Sequence, residues 1–173
     1  PSAHGTIGIS KAIEESCNYF FYELGYRMAT QNTGTYSDIT GVERLQKYAG
    51  MFGFDSTSGI ELPESKPQIS DADAIRTAIG QGTNNFTATQ LARYVTTLAN
   101  SGTCYDLSLV SEIKDINGNV VYKNEHKVHN QLDFPAEQWN VVRQGMRQVV
   151  SVHTSSSALI NQINVAVAGK TGT

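Results

Sequence analysis

The stretch "AIEESCNYFFYELG", residues 12–25, interrupts a helical pattern with residues that favour turns. Apolar side chains recur at helical spacing over residues 9–28, but Ser16 and Asn18 lie inside that run. Side chains of both types compete for backbone hydrogen bonds and therefore favour helix ends. We predict two helices joined by a tight turn at Ser16-Cys17-Asn18, with Asn18 capping the second helix.

Further helices are predicted from their start signals. Capping boxes at residues 40–43 and 87–90 each place a threonine three residues before a side chain that can reach back to it. Asp71 and Pro135 are residue types that are favoured at the first positions of helices. The predicted helices cover about 41–52, Asp71 through Ile79, Thr87 to near Asn100, Pro135 to about Val150, and a shorter stretch around 155–161.

Two stretches predict strands. Asn117-Gly118 lies between "SLVSEIKDI" and "NVVYK", and this pair is a strong hairpin signal because a type I′ turn needs two residues at positive φ. The final stretch "INVAVAGKTGT", residues 163–173, is rich in small and β-branched residues and predicts a turn into a strand. The chain therefore combines helices with a hairpin and a C-terminal strand.

Composition and charge exclude several classes of function. A hydrophobic fraction of 39% and a charged fraction of 17% are typical of a globular protein. With 13 Lys+Arg and 16 Asp+Glu the net charge is −3, and no basic cluster is present, which argues against a nucleic-acid partner. No apolar run approaches the roughly 20 residues of a membrane span, so any anchor is expected outside these residues.

The cysteines and histidines show no metal pattern. Cys17 and Cys104 lack the CxxC spacing of zinc and redox sites. A disulfide between them stays open at this stage, since each also suits a small buried position. His126, His129 and His153 have no spacing typical of a metal site. We therefore expect neither a metal nor a cofactor.

The last six residues, "AGKTGT", are compatible with two kinds of site. Gly169-Lys170-Thr171 could end a phosphate-binding loop, but that pattern needs glycine five residues before Gly169, where Asn164 stands. It also needs a helix after the lysine, whose N-terminus helps to bind phosphate. The alternative is a lysine-bearing strand of an enzyme that acylates an active-site serine.

Ser16-Cys17-Asn18 and Lys170-Thr171-Gly172 occur in the order of the second and third motifs of serine acyl-transferases, whose first motif is Ser-x-x-Lys. On these motifs the chain resembles the transpeptidase domain of penicillin-binding proteins, and most of all the class B, monofunctional type. The resemblance is collinear over four segments: "HGTIGISKAIEESCNYFFYELG", "AIGQGTNNFTATQLARYVTTLANSGT", "VVRQGMRQVV" and "AGKTGT".

The resemblance implies an α+β fold. The chain would form the helical subdomain of the serine β-lactamase/transpeptidase-like fold, with a surface β-hairpin and the start of the strand that carries Lys170. Residues 1–173 would be a partial transpeptidase (penicillin-binding) domain, truncated at both ends. Because most of the family's sheet would be absent, we expect exposed apolar helix faces and poor solubility or partial order of the chain alone.

The resemblance also implies roles for individual residues. Ser16 and Lys170 would be catalytic, since a hydroxyl near lysines can pass a proton in either direction. Asn18 would bind the amide carbonyl of the substrate. The other implied positions are Thr171 and Thr173, with hydroxyls for the substrate carboxylate, Gly172, against which substrate packs, and Gln81 and Gly82, in a loop near the cleft.

The family's nucleophile is missing from the sequence. No Ser-x-x-Lys precedes Ser16, and the one occurrence, Ser111 to Lys114, falls in the predicted hairpin, where residues three apart point to opposite faces of a strand. We interpret that occurrence as a coincidence. The chain alone is therefore expected to be inactive.

The implied function is that of a peptidoglycan D,D-transpeptidase. The complete enzyme would cross-link stem peptides that end in D-Ala-D-Ala through a serine acyl-enzyme, and β-lactam antibiotics would acylate the same serine. Further partners would be proteins of a cell-wall synthesis complex. The expected location is the extracytoplasmic face of a bacterial cell membrane, with the anchor outside this chain.

Two other classes of function are weighed on the same residues. A β-lactamase is disfavoured because Cys17 stands where class A enzymes usually have Asp. A β-lactam sensor is disfavoured because Asn18 stands where sensor domains usually have Val. A degenerate, non-catalytic binding module is a third alternative that these residues do not exclude, because the sequence does not contain the nucleophile segment.

Overall fold

The computed structural model describes residues 4–30, 34–152 and 160–172. Their secondary structure is mixed, with long helices and two small antiparallel sheets. The helices are α1 (Ile9–Glu14), α2 (Asn18–Thr30), α3 (Asp38–Met51), α4 (Ala74–Thr77), α5 (Ala88–Ala99), α6 (Ala136–Val152) and a 3₁₀ turn (Ile160–Gln162), and the strands are β1 (Thr103–Tyr105), β2 (Glu112–Lys114), β3 (Val120–Lys123) and β4 (Val128–Gln131). The predicted α+β class is confirmed.

Two small cores hold the helices together. The first lies where α2, α3 and α4 meet, and it is built on the small buried side chains of Ala29, Val42 and Ala74. The second is formed by Leu98, Cys104, Leu132 and Trp139, which come from α5, β1, the segment after β4 and α6. Aromatic rings, including those of Phe52 and Tyr94, pack around this second core in edge-to-face geometry.

A buried arginine fastens the loop after α3 to α5. The Arg93 side chain is completely buried and donates hydrogen bonds to the carbonyls of Gly53, Ser56 and Thr57. Its Nη1 also lies 3.7 Å from a carboxylate oxygen of Asp106. A buried guanidinium is tolerated when several acceptors surround it, and here they come from one loop. Arg93 thereby fixes the path of residues 53–57.

A half-buried carboxylate binds side chains at the start of α5. Glu64 accepts hydrogen bonds from the Ser58 N–H at 2.6 Å and from the hydroxyls of Ser58, Thr87 and Thr89. Burial by itself raises the pKa of Glu64, but these hydrogen bonds outweigh burial and lower the pKa to about 2. The predicted capping box at Thr87 is confirmed, because Thr87 and Gln90 each bond the other's backbone N–H.

Three other predicted caps are wrong by one to three residues. Helix α3 begins a turn earlier than predicted, because the Ser37 hydroxyl accepts from the Thr40 N–H and takes the cap position. Asp73 rather than Asp71 caps the short helix α4. Helix α2 begins at Asn18 itself, because the Cys17 carbonyl accepts its first backbone bonds. In each case a neighbouring acceptor was equally able to serve.

The predicted hairpin is confirmed as the pairing of β2 with β3. Its turn differs from the predicted type I′, because only Gly118 has positive φ, at 87°. The Asp115 carboxylate accepts from the N–H groups of Asn117 and Asn119, which stabilises a longer turn with a shifted register. The second pairing, between β1 and β4, was not predicted.

The C-terminal strand prediction is wrong for this chain. Residues 163–172 pair with no strand within the described ranges; residues 163–165 form a bend, and residues 166–172 have no regular secondary structure. A strand needs a partner ladder for its backbone groups, and helix α6 supplies the contacts instead. The helix predicted around 155–161 lies mostly outside the described residues, and α6 itself extends two residues past its predicted end.

The structure also shows the state of the two cysteines and the character of the helices. Cys17 and Cys104 are both free and buried, so each fills an apolar position. None of the helices in the described ranges is both long enough and apolar enough to cross a bilayer.

Candidate active site

Helix α1 ends in a tight turn that presents Ser16. The Cys17 N–H bonds the Ala12 carbonyl at 2.9 Å, and the Ser16 N–H bonds the Ile13 carbonyl at 3.2 Å. This pair of bonds is a Schellman motif, which needs a residue in the left-handed conformation at the Ser16 position. Ser16 has φ of 50°. Glycine is the usual residue at this position, because a side chain makes the left-handed conformation less favourable. Ser16 therefore places a hydroxyl in the turn at a cost in backbone energy.

Helix α6 holds the segment that contains Lys170. The Gly169 N–H bonds the Met146 carbonyl at 3.0 Å, and Arg147 Nη1 bonds the Val167 carbonyl at 2.9 Å. Both contacts come from one turn of α6. The C-terminal segment is therefore aligned along this helix.

The same helix also packs closely on α1. A Cβ added to Gly145 would lie 2.8 Å from Ile13 Cβ and 2.8 Å from the Ser10 carbonyl oxygen, so only glycine fits between the two helices. The Ser10 hydroxyl donates to the Val141 carbonyl at 2.8 Å. Helix α6 thus contacts the elements that carry both motifs.

As a result, two residues that are 154 positions apart in sequence are in direct contact. Lys170 Nζ donates to Ser16 Oγ at 2.8 Å. It also lies 3.1 Å from the Thr171 carbonyl oxygen and 3.0 Å from Thr171 Oγ1. The predicted catalytic pair is therefore brought together by the fold.

Burial lowers the pKa of Lys170 below its ordinary value. No ion pair within the described part of the chain includes Lys170, so no carboxylate there offsets the effect of burial. A lysine with a lowered pKa is more readily neutral, and a neutral amine 2.8 Å from a hydroxyl can accept its proton. The arrangement is chemically able to relay a proton between Lys170 and Ser16.

A cleft of about 1070 Å³ opens beside Ser16. Its walls are the segment before α1, the turn at Ser16 and one face of α2. Asn18, predicted to bind substrate, lines this cleft, and so does His4. The lining residues are His4, Gly5, Thr6, Ile7, Ser16, Cys17, Asn18, Tyr19, Phe20, Glu23, Leu24 and Arg27.

Sequence reasoning missed the α2 face of this cleft. Phe20 and Leu24 were assigned to a helical apolar face, yet they line an open cleft, and Tyr19 beside them is 78% exposed. Glu23 and Arg27 form an ion pair along the same helix, with N–O distance 2.8 Å. The signal that could have identified this face is the width of the apolar stripe on α2, since only Gly25 and Ala29 of that helix are buried.

The remaining predicted site residues divide into three groups. Thr171 contacts Lys170, and Gly172 follows it as an exposed residue. Thr173 lies outside the described residues. Gln81 and Gly82 lie in the loop after α4 and are not among the residues that line the cleft. The Gln81 carbonyl accepts instead from Asn84, which holds this loop in a local turn.

The alternative Ser-x-x-Lys belongs to the β2–β3 hairpin and does not line the cleft. Ser111 and Lys114 are exposed on the hairpin, and Lys114 pairs with Glu112 at 2.7 Å. Within the described ranges, no group of three or more His, Cys, Asp or Glu residues could hold a metal ion.

Comparison with solved structures identifies the fold. Penicillin-binding protein 2B from Streptococcus pneumoniae strain 5204 superimposes with a TM-score of 0.80 at 24% identity, over 96% of this chain and 30% of that one. Penicillin-binding protein A from Mycobacterium tuberculosis, in a ceftriaxone acyl-enzyme complex, gives a TM-score of 0.77 at 23% identity, over 99% of this chain and 36% of that one. The fold is thus that of penicillin-binding protein transpeptidase domains.

The chain belongs to the penicillin-binding protein transpeptidase domain family, whose family model matches residues 1–173. Curated relatives include penicillin-binding protein 2A from Bacillus subtilis, 28% identical over 98% of this chain, and peptidoglycan D,D-transpeptidase MrdA from Haemophilus influenzae, 28% identical over 99% of this chain. The chain spans 25% of the length of the first relative and 27% of the second. The resemblance to class B proteins is confirmed.

Proposed function

We propose that this chain is part of a peptidoglycan D,D-transpeptidase that works through a serine acyl-enzyme and is acylated by β-lactams. The observation that carries the proposal is the 2.8 Å contact between Lys170 Nζ and Ser16 Oγ, which joins two motif segments at the edge of a cleft. One relative is named a peptidoglycan D,D-transpeptidase and others are named penicillin-binding proteins, which supports the same reaction class.

In this reaction, Ser16 and Lys170 transfer the proton. The nucleophilic serine attacks the carbonyl carbon between the two terminal D-alanines, and its proton passes through the Ser16 hydroxyl to neutral Lys170. Collapse of the tetrahedral intermediate breaks the C–N bond, and the same relay returns the proton to the departing D-alanine amine. An amine of a second stem peptide then attacks the acyl carbonyl carbon and gives a proton to the relay. Collapse of this second intermediate breaks the C–O ester bond, and the relay returns the proton to the serine oxygen.

The residues beside Ser16 and Lys170 bind the substrate. Asn18 supplies a carboxamide donor for the substrate's amide carbonyl. Thr171 and Thr173 offer hydroxyls to the terminal carboxylate, which Lys170 attracts once the relayed proton has made it an ammonium, and Gly172 leaves room for the peptide. Gln81 and Gly82 remain candidates for a more distant part of the cleft.

We further propose that residues 1–173 are a partial domain whose nucleophile belongs to a segment outside them. The apolar wall of the cleft, with Phe20 and Leu24 beside Ser16, is where such a segment would lie. The chain alone would then be inactive. In the complete protein the domain would act at the extracytoplasmic face of the bacterial membrane, held by an anchor outside this chain, alongside other proteins of cell-wall synthesis.

The experiment that tests the proposal is labelling of the full-length protein with fluorescent penicillin. Lys170→Met and Ser16→Ala are each expected to slow acylation by at least a hundredfold, because the proton relay contributes a factor of that order. The matched controls Lys114→Met and Ser111→Ala change the hairpin copy of the same residue types and are expected to leave labelling unchanged.

Three results would count against the proposal. A folded full-length protein that no penicillin labels would exclude the serine acyl-enzyme. Labelling that survives Lys170→Met at the normal rate would remove Lys170 from the chemistry. Rapid hydrolysis of a chromogenic cephalosporin would instead indicate a β-lactamase.

A further inference from the structure

We propose that Arg147 is a positioning residue for Lys170, an inference that rests on the proposed function. Among the described residues, Arg147 does not line the cleft, and its guanidinium bonds the Val167 carbonyl, so it acts through the segment that carries Lys170. It is assigned no part in the proton relay.

The geometry around the C-terminal segment leads to this inference. Residues 163–172 form no strand ladder within the described ranges, so pairing with a neighbouring strand does not fix this segment there. Within the described residues, two hydrogen bonds tie this segment to α6, from Arg147 to the Val167 carbonyl and from the Gly169 N–H to the Met146 carbonyl. Lys170 follows directly after these two anchor points.

Of these two bonds, only the one from Arg147 depends on a side chain. Any residue at position 146 would supply the same backbone carbonyl, whereas the bond to Val167 needs a long side chain with a donor at its end. A charged donor to a carbonyl makes a stronger bond than a neutral one, and Arg147 is partly buried, where such a bond is less exposed to water.

Small displacements of this segment matter for the proposed relay. The distance between Lys170 Nζ and Ser16 Oγ is 2.8 Å, and proton transfer between them requires that this hydrogen-bond distance is kept. A misplacement of about 1 Å in a reacting group can slow a reaction by about a hundredfold. Lys170 is already an exposed residue, and loss of the Arg147 anchor would remove the remaining desolvation that lowers its pKa, which raises the pKa toward the ordinary value and reduces the neutral fraction.

The same helix offers a matched control one turn earlier. Arg143 donates to the Ala99 carbonyl, to Ser101 Oγ at 2.8 Å and to Asn140 Oδ1, all away from Lys170. It has the same chemistry and a similar partial burial. Removal of its guanidinium therefore costs comparable structural contacts without touching the C-terminal segment.

The test compares Arg147→Met, Arg147→Lys and Arg143→Met in the full-length protein. The first readout is the second-order rate of acylation by fluorescent penicillin, with the melting temperature measured alongside. We expect Arg147→Met to slow acylation at least tenfold, Arg147→Lys to recover part of the rate, and Arg143→Met to keep the wild-type rate at a similar melting temperature.

The second readout does not depend on activity. The pH dependence with which an amine-reactive reagent modifies Lys170 is followed by mass spectrometry of its peptide. Arg147→Met is expected to move the midpoint to higher pH, and Arg143→Met to leave it unchanged. If Arg147→Met fails to fold, both measurements are made on Arg147→Lys. The acylation rate and the pH midpoint are then expected to change in the same directions but by less.

The inference is overturned if Arg147→Met keeps the wild-type rate and midpoint, or if Arg143→Met changes both as much as Arg147→Met does. These outcomes are distinct from failure of the proposed function. A wild-type protein that penicillin does not label would refute the transpeptidase reaction, while the midpoint of Lys170 modification would still report whether Arg147 positions that side chain.

Discussion

Ser16 combines an unfavourable backbone conformation with a side chain that contacts Lys170. Its φ of 50° belongs to the left-handed region, and its hydroxyl accepts from Lys170 Nζ. Replacement by glycine relieves the backbone and removes the hydroxyl, whereas replacement by alanine removes only the hydroxyl. The two variants therefore separate the stability of the turn from its chemistry.

We expect Ser16→Gly to be more stable than Ser16→Ala by about 1 kcal/mol, because the left-handed conformation costs an L-residue about that much. Both variants are expected to lose penicillin acylation. Denaturant titration measures the difference in the free energy of unfolding. A glycine variant that is less stable than the alanine variant would show that the turn carries no strain.

Glu64 gives the protein a pH-dependent stability. Its pKa is about 2 in the folded state against about 4.5 for an ordinary glutamate, so folding favours its ionised form. The stabilisation is complete above the unfolded pKa and is lost as pH falls from about 5 to about 2. Glu64→Gln is expected to cost on the order of 2 kcal/mol at neutral pH and nothing near pH 2.

Urea unfolding of the wild type and of Glu64→Gln across this pH range measures the effect. The control is Glu43→Gln, which changes an exposed glutamate on α3 and should leave the pH profile of stability unaltered. A Glu64→Gln difference that is constant from pH 7 to pH 2 would contradict the assignment of the effect to ionisation.

At the scale of elements, the contact of α1 with α6 governs the site. Gly145→Ala would place a Cβ 2.8 Å from Ile13 Cβ and from the Ser10 carbonyl oxygen, and this overlap must push the helices apart. We expect a loss of about 1–3 kcal/mol in spite of the higher helix propensity of alanine. Acylation by penicillin should slow in parallel, because Ser16 moves with α1.

The matched control is Gly50→Ala in α3. A Cβ at that position meets nothing closer than 3.5 Å, at Asp55, so the substitution should not lower stability. The melting temperatures of the two variants and their acylation rates give the comparison. Equal behaviour of Gly145→Ala and Gly50→Ala would show that the close packing of α1 on α6 is unimportant.

The helices and strands also show how much of the fold the sequence predicts. Periodicity and caps predict helices well, since both are local, and the ends of all six α-helices in the described residues lie within three residues of the predicted ends, although α4 is only four residues long. The β1 with β4 pairing was missed because three- and four-residue strands joined over more than twenty residues carry no local signal. Whether residues 163–172 form a strand depends on a partner, which no local pattern specifies.

At the scale of the whole molecule, the site prediction depended on motif order rather than on geometry. Nothing local relates Ser16 to Lys170, and only the family resemblance joined them before the 2.8 Å contact was seen. The width of the apolar stripe on α2 indicates an apolar face larger than the core needs, but it does not specify whether that face is covered or open. The role of α6 between the two motifs follows only from tertiary packing.

The molecule exposes large apolar side chains, including Tyr19 at 78% and Ile39 at 73%. We expect the isolated 173 residues to bind a hydrophobic dye and to self-associate, and the full-length protein to do so far less. Dye fluorescence and sedimentation of the two proteins measure this. A sharp, cooperative melt of the isolated chain without dye binding would show that the exposed apolar side chains do not need to be buried by a further segment.

The distance along the chain between Ser16 and Lys170 has a consequence for biosynthesis. At ordinary rates of translation, the 154 residues between them take roughly 8 to 30 s to be made, so Ser16 leaves the ribosome long before its partner exists. Helices α2 to α5 can pack locally in that interval, whereas closing α1 onto α6 must overcome the entropy of a long loop. The contact between Lys170 and Ser16 is therefore expected to be among the last features of the nascent protein to form.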